Sequence, residues 1–203
     1  MLNIALPKGR LCDDAVSKLV AVGLAPQGII DDSRKLIFRD EEYGLCFYLA
    51  KPADVGVYVE RGVADIGIVG KDVLLEQQPN VYELLDLGFG TCSMMVASKP
   101  DFYDDPNRPL RVATKYVRIA QEYYASINRD IDVIPLSGSI ELGPVIGLSD
   151  VIVDITQTGT TLRENGLVVL STLFDVSARL IANKSNYEFK RAQIDRIVQV
   201  LAS

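Results

Sequence analysis

The chain alternates short apolar runs of strand length with segments of helical period from end to end, with no repeat or low-complexity tract between them. Strands are expected at residues 2–6, 45–49, 66–69, 94–97, 111–114, 133–135 and 150–155. Several are apolar at nearly every position, the pattern of strands covered on both faces. Helical spacing runs over residues 13–22, 54–61 and 116–127, and Gly23 and Gly62 stand where the first two of these should end. In a last helix, residues 187–201, Ile194, Ile197, Val198 and Leu201 fall at i, i+3, i+4 and i+7, an amphipathic stripe that docks by one face. Strands and helices in this alternation predict an α/β fold with largely parallel sheets.

Two segments break the pattern. Residues 99–109 hold three prolines among charged and polar neighbours. They can continue neither a helix nor a central strand, and are expected to form a surface loop at the start of a second lobe. Residues 26–42 are polar, carry Asp31, Asp32, Arg34 and Lys35, and have little periodicity. They are expected to be mobile or to lie over a cleft.

Composition then narrows the function by what it lacks. With 203 residues, 48% apolar and 24% charged, the chain can bury a core as one large domain or two small lobes. Its net charge is −6, and no run of like charge exceeds Asp40-Glu41-Glu42. No basic patch is present to collect nucleic acid or an anionic membrane, and neither is expected as a partner. Histidine is absent altogether, which removes the usual general base of Ser and Cys hydrolases and the commonest zinc ligand. Cys12, Cys46 and Cys92 are widely spaced, suiting neither a disulfide framework nor a thiolate metal site, and they fit a reducing cytoplasm. The apolar stretch before Lys8 is too brief for a signal-peptide core, and no uncharged run reaches the ~18 residues of a membrane helix.

The segment richest in chemistry is residues 151–166, Val-Ile-Val-Asp-Ile-Thr-Gln-Thr-Gly-Thr-Thr-Leu-Arg-Glu-Asn-Gly, which reads as strand, acid, tight loop and short helix. A glycine among hydroxyl residues lets the backbone approach a ligand, and the helix start adds N–H groups, so a phosphate monoester can be gripped without lysine. Asp154, just before the loop, stands where a carboxylate can accept hydrogen bonds from sugar hydroxyls. A rival reading is purely local: Thr161 and Glu164 make a capping box that Gly166 closes. Neither a Walker loop nor G-x-G-x-x-G occurs.

Elsewhere, Lys8, Gly9 and Arg10 follow a strand that breaks at Pro7 and precede a helix. Each cation alone reads as solvated charge, but cations at a helix N-terminus oppose the macrodipole, and an anion between them would relieve that conflict. Lys51 likewise follows a strand, with Asp54 as the expected N-cap of the next helix. Ser137, Gly138, Ser139 and Glu141 follow another strand, and Ser139 could serve as a cap. Tyr116 and the Met94-Met95 pair suit either cofactor stacking or the core, the latter being commoner.

Four motifs in order complete the picture: Leu-Pro-Lys-Gly-Arg-Leu at 6–11, Gly-Val-Ala-Asp-Ile-Gly-Ile-Val-Gly at 62–70, Pro-Leu-Ser-Gly-Ser-Ile-Glu-Leu at 135–142, and residues 153–167. Together they resemble the ATP phosphoribosyltransferases, the first enzymes of histidine biosynthesis, over essentially the whole chain. The resemblance implies a two-lobed α/β fold like the type II periplasmic binding proteins, with residues 1–90 and 176–203 in one lobe, 91–175 in the other, and the active site in the cleft. It implies transfer of phosphoribosyl from phosphoribosyl pyrophosphate to ring nitrogen 1 of ATP, with magnesium carried on the substrate and no protein ligand assigned to it.

By position, Glu141, Asp154, Gln157, Thr158, Gly159, Thr160 and Thr161 would hold the ribose and its 5-phosphate. Lys8, Arg10 and Lys51 would be the catalytic cations facing polyphosphate, and Lys8, Gly9, Arg10 and Tyr116 would meet ATP. Lys51 departs from the Arg of many relatives, and an ammonium cannot reproduce a bidentate guanidinium grip. Thr160 sits at a variable place in the loop, so its amide rather than its hydroxyl is the expected phosphate ligand. The chain stops after the terminal helix, like the short form of the family. That form implies a separate regulatory subunit resembling histidyl-tRNA synthetase, in a hetero-oligomer. The alternative is a non-catalytic two-lobed receptor, but a secreted solute binder should carry a signal sequence and has no need of Asp154 beside a hydroxyl-rich loop.

Overall fold

The computed structural model describes residues 1–30 and 34–202; Asp31 and Asp32, within the segment expected to be mobile or to cover a cleft, lie outside the described residues. The strands in chain order are β1 (Leu2–Pro7), β2 (Ile37–Asp40), β3 (Leu45–Ala50), β4 (Ile66–Gly70), β5 (Val81–Asp86), β6 (Cys92–Ser98), β7 (Leu110–Thr114), β8 (Ile131–Pro135), β9 (Val151–Thr156), β10 (Val168–Val176) and β11 (Ala178–Asn183). The helices are α1 (Arg10–Ala21), α2 (Val55–Glu60), α3 (Lys71–Gln77), α4 (Val117–Ser126), α5 (Leu142–Val145), α6 (Thr160–Glu164) and α7 (Lys184–Ala202). The chain divides into two compact units, Met1–Gly90 with Ser177–Ser203, and Thr91–Val176.

The first unit is a six-stranded sheet in the order β2-β3-β1-β4-β11-β5. Its centre follows from the apolar sequence of β1, which fills both faces. Leu2, Ile4 and Leu6 join Cys12, Ala15 and Leu19 of α1 and Ile194, Ile197 and Leu201 of α7 in one core. Ala5 faces the other way, among Val55 and Val59 of α2, Leu74 of α3 and Ile181 of β11. Each fully buried large aliphatic side chain here contributes about 1.5–3 kcal/mol. The terminal helix therefore docks through the predicted stripe, with Val198 partly buried beside it. It starts three residues earlier than its periodicity suggests and kinks at Lys190 (φ −115°, ψ 19°).

Asp65, in the turn before β4, ties the chain ends to this sheet. Its carboxylate accepts hydrogen bonds from the Asn3 amide (2.8 Å), Asn186 Nδ2 (2.8 Å) and Lys190 Nζ (2.7 Å). Two residues on, Gly67 is required by packing, because a Cβ there would lie 2.8 Å from Val59 Cγ2 and 3.3 Å from the Ala5 carbonyl oxygen. The 62–70 motif is thus largely architectural.

The second unit is a five-stranded sheet in the order β10-β6-β9-β7-β8. Met94 and Met95 are core residues of β6. The proline-rich segment 99–109 is irregular, as expected. It is fastened by Arg129, which donates to Asp104 Oδ1 (2.6 Å) and to the carbonyls of Asp105 (2.9 Å) and Arg108 (2.9 Å). Asp150, just before β9, accepts from Arg108 Nη1 (2.7 Å), Arg111 Nη2 (2.8 Å) and the Arg111 amide (2.9 Å). Burial pushes that carboxyl's pKa up, but the two guanidinium groups and the amide outweigh it and hold the group well below the usual carboxylate range.

Several expectations are corrected. The sheets are mixed: β1 runs parallel to β3 and β4, and β7 to β8 and β9, but β2, β5, β6, β10 and β11 all pair antiparallel with their neighbours. Apolar patterning reports how buried a strand is, not which way its partner runs. The segment 26–42 contains the edge strand β2, whose exposed positions mask its pairing. Asp54 occupies the N-cap position of α2 but makes no side-chain capping bond. The capping box at Thr161 does not form either, because α6 begins at Thr160 with Gly159 as its N-cap, and Ser139 precedes α5 by too much, its N-cap being Glu141.

Candidate active-site residues

In the second unit, the loop after β9 wraps a cavity of about 170 Å³. Glu141, Asp154, Gln157, Thr158, Gly159, Thr160 and Thr161, all seven residues expected to hold phosphoribosyl, line it together with Thr156 and an apolar floor that includes Met95 and Ile152. The loop's form has local causes. Gly159 takes a left-handed conformation (φ 68°), which a side chain would strain, and donates its N–H to Thr156 Oγ1 (3.0 Å). The Thr158 and Thr160 hydroxyls lie 3.0 Å apart.

Arg163, one turn on, donates from Nη1 to the Thr158 carbonyl (2.9 Å) and from Nη2 to Thr160 Oγ1 (3.0 Å). The Thr160 hydroxyl is thereby tied into the loop's own bonding, and its amide donates to Thr158 Oγ1 (3.4 Å). Asp154 Oδ1 accepts from the Ile155 amide (2.8 Å), which fixes the carboxylate at the cavity mouth. Beside it, Lys115 Nζ lies 3.9 Å from Asp154 Oδ1 and 4.7 Å from the centroid of the Tyr116 ring. Tyr116 itself is only 4% exposed. Its amide donates to Thr114 Oγ1 (2.8 Å), whose hydroxyl donates to the Val153 carbonyl (2.6 Å), so the ends of β7 and β9 are tied together.

In the first unit the cations gather at one sheet edge. Strands β1 and β3 run parallel in a register that pairs Pro7 with Ala50, and the Lys8 amide donates to the Ala50 carbonyl (2.8 Å). Lys8 and Lys51 therefore leave the sheet side by side at its carboxyl edge. Gly9 (φ 95°) turns the chain into α1, which begins at Arg10. Lys8, Arg10 and Lys51 are all exposed.

Sequence reasoning missed Lys115 and Arg163. Both were within reach of signals already in use: Lys115 directly follows a predicted strand, as Lys8 and Lys51 nearly do, and Arg163 falls one helical turn after the loop glycine. Among the described residues no group of three or more His, Cys, Asp or Glu side chains could hold a metal ion, and no helix is long and apolar enough to cross a membrane.

This arrangement has close counterparts. A protein of Brachyspira hyodysenteriae named ATP phosphoribosyltransferase is 52% identical over 200 residues, covering 98% of this chain and 97% of the other. The solved ATP phosphoribosyl transferase (HisG:HisZ) complex from Thermotoga maritima matches at a TM-score of 0.85 and 34% identity, over 100% of this chain and 97% of that one. The periplasmic aliphatic sulphonate binding protein SsuA from Escherichia coli matches at a TM-score of 0.64 and 12% identity, over 98% of this chain and 70% of that one, which is a likeness of fold alone. The family profile described as ATP phosphoribosyltransferase matches residues 51–203, the stretch that carries the loop and its cavity. With near-complete coverage of both chains and half of all residues shared with the Brachyspira protein, the chain belongs to the ATP phosphoribosyltransferase family.

Proposed function

We propose that this protein joins ring nitrogen 1 of ATP to the anomeric carbon of phosphoribosyl pyrophosphate and releases pyrophosphate, the entry reaction of histidine biosynthesis. The observation that carries the proposal is the full-length 52% identity to an ATP phosphoribosyltransferase. The cavity supports it chemically: a hydroxyl-lined loop for a phosphate monoester, with carboxylates Glu141 and Asp154 on the same wall for ribose hydroxyls. No protein nucleophile takes part. The nitrogen lone pair forms the new bond to C1 as the C1–O bond breaks, its electron pair leaves on pyrophosphate, and the alkylated adenine sheds a proton.

The residues' work is alignment and charge. Asp154, Glu141 and residues 157–161 fix the ribose and its 5-phosphate, while Lys8, Arg10 and Lys51 meet polyphosphate and stabilise the charge that grows on the departing group. Lys51 does this as a point charge rather than a fork. A chain without histidine suits a reaction that needs no imidazole base. Magnesium fits the donor set as a substrate-borne ion, since Mg²⁺ retains waters and phosphate oxygens and asks for only one or two carboxylates. Glu141 and Asp154 are the residues that would face it, and it would add positive charge at the diphosphate.

The Thermotoga structure is an ATP phosphoribosyl transferase (HisG:HisZ) complex. A hetero-oligomer with a regulatory subunit resembling histidyl-tRNA synthetase, working in the cytoplasm, follows for this chain on the same reading. Mass detection after incubation with ATP, phosphoribosyl pyrophosphate and magnesium tests it, with a second subunit of that kind both present and absent: a phosphoribosyl-ATP adduct is the expected product. Binding of both substrates without any adduct, in either assembly, would leave a receptor.

A further inference from the structure

The cavity poses an electrostatic problem that its lining does not solve. Its walls carry two carboxylates, Glu141 and Asp154, and no cation, although the ligand assigned to it is a polyanion. Arg163 is the nearer guanidinium, but it is engaged by Thr158 and Thr160 in shaping the loop. Lys115 is differently placed. The parallel register of β7 and β9 pairs Thr114 with Val153, so Lys115 and Asp154 stand next to each other beyond that pair. At 3.9 Å from Asp154 its ammonium is held by charge, outside hydrogen-bond reach, and it also lies over the Tyr116 ring at 4.7 Å from the centroid. The lysine side chain is 40% exposed, against 16% for the aspartate.

We propose that Lys115 is a catalytic residue that binds the C1 diphosphate of phosphoribosyl pyrophosphate, an inference that rests on the function proposed above. With the 5-phosphate in the loop, a carboxylate that accepts from the 2- and 3-hydroxyls necessarily lies near C1, the carbon next to C2. An ammonium beside Asp154 then faces the leaving group. In the ligand-free protein it balances Asp154; with substrate bound, the ribose hydroxyls take over that carboxylate and the ammonium turns its N–H donors to the diphosphate.

Calorimetric titration of the full chain, in the assembly that turns over ATP, separates the alternatives by using two probes that differ only in the diphosphate. Lys115→Met is expected to weaken phosphoribosyl pyrophosphate on the order of tenfold or more, while ribose 5-phosphate binds within about twofold of wild type. Lys115→Arg should restore most of the loss. Equal weakening of both ligands would mean that Lys115 acts only by holding Asp154, and unchanged binding of both would remove it from the site; either result overturns the proposal. A wild-type protein that binds neither ligand would instead overturn the phosphoribosyltransferase reading, and this inference with it.

Discussion

The two units place different chemistry on equivalent backbone positions. In the first, the parallel pair β1 and β3 ends in Lys8 and Lys51, each one residue beyond the paired Pro7 and Ala50. In the second, the parallel pair β7 and β9 carries Lys115 and Asp154 beyond Thr114 and Val153. One edge is exposed positive charge; the other opens into a shaped cavity of hydroxyls and acids. Their amino edges are alike, since an aspartate with a largely covered side chain precedes β4 as Asp65 and β9 as Asp150, and each collects cations and a backbone amide. Parallel strands thus supply a common frame, in which the amino edge holds the fold together and the carboxyl edge is left for ligands. On the proposed function, the first unit contributes charge, which tolerates displacement, and the second contributes geometry, which does not.

The largest effect should come from breaking the shaped edge. Asp154→Asn removes the carboxylate proposed to accept from the ribose and is expected to lower kcat/KM for phosphoribosyl pyrophosphate on the order of 10²–10³-fold. The dissociation constant for ATP should stay near wild type. Steady-state kinetics together with equilibrium titration of each substrate would check this, and an equal loss of affinity for both substrates would contradict the division of labour between the units.

The amino edge should answer in stability rather than activity. Asp150→Asn strips one partner from two guanidinium groups, with the aspartate side chain only 8% exposed, and is expected to cost about 3 kcal/mol in urea unfolding. The pH dependence has a definite sign. Because the folded carboxyl titrates well below its unfolded value near ~3.9, its contribution is complete at neutral pH and is lost as pH falls below that value toward the depressed one. Wild type should therefore lose more stability than Asp150→Asn between about pH 5 and pH 2. Parallel curves for the two proteins would show that the ion cluster does not stabilise the second unit.

Much of this frame was legible in the sequence; the buried strand β11 was not, and the other missed strands share a physical cause. Central strands such as β1 and β4 are apolar on both faces and announce themselves, as does the stripe of Ile194, Ile197 and Leu201. Strands β5 and β10 lie at sheet edges, with Glu83, Asp86 and Asp175 among exposed positions, so they lack both continuous apolarity and clean alternation. Strand direction was illegible because β11 finds β4 and β5 across the whole intervening second unit. The loop at 156–161 was legible through its composition, while the part played by Arg163 depends on where α6 begins. A helix starting at Thr160 brings the guanidinium back over the loop; the capping box that the local pattern favours would have started it later.

On the charged edge the effects should be smaller and graded. Arg10→Ala removes one of three exposed cations, and roughly a tenfold loss in kcat/KM for ATP is expected, with unfolding free energy within about 0.5 kcal/mol of wild type. A large drop in stability would make Arg10 a structural residue instead.

Ionic strength offers the finest discrimination between the edges, because screening acts on exposed charge and spares hydrogen bonds made inside a cavity. The Debye length shortens from about 10 Å at 0.1 M salt to about 3 Å at 1 M. Lys8, Arg10 and Lys51 all stand in solvent, so KM for ATP should rise a few-fold over that range, roughly in proportion to the number of cations engaged. Arg10→Ala should flatten the slope, since one of those cations is gone. Asp154→Asn should leave the slope for ATP as in wild type, because the aspartate belongs to the other edge. A KM for ATP that ignores salt in wild type, or a slope that changes with Asp154 rather than with Arg10, would locate the charge recognition in the second unit and reverse the assignment of roles.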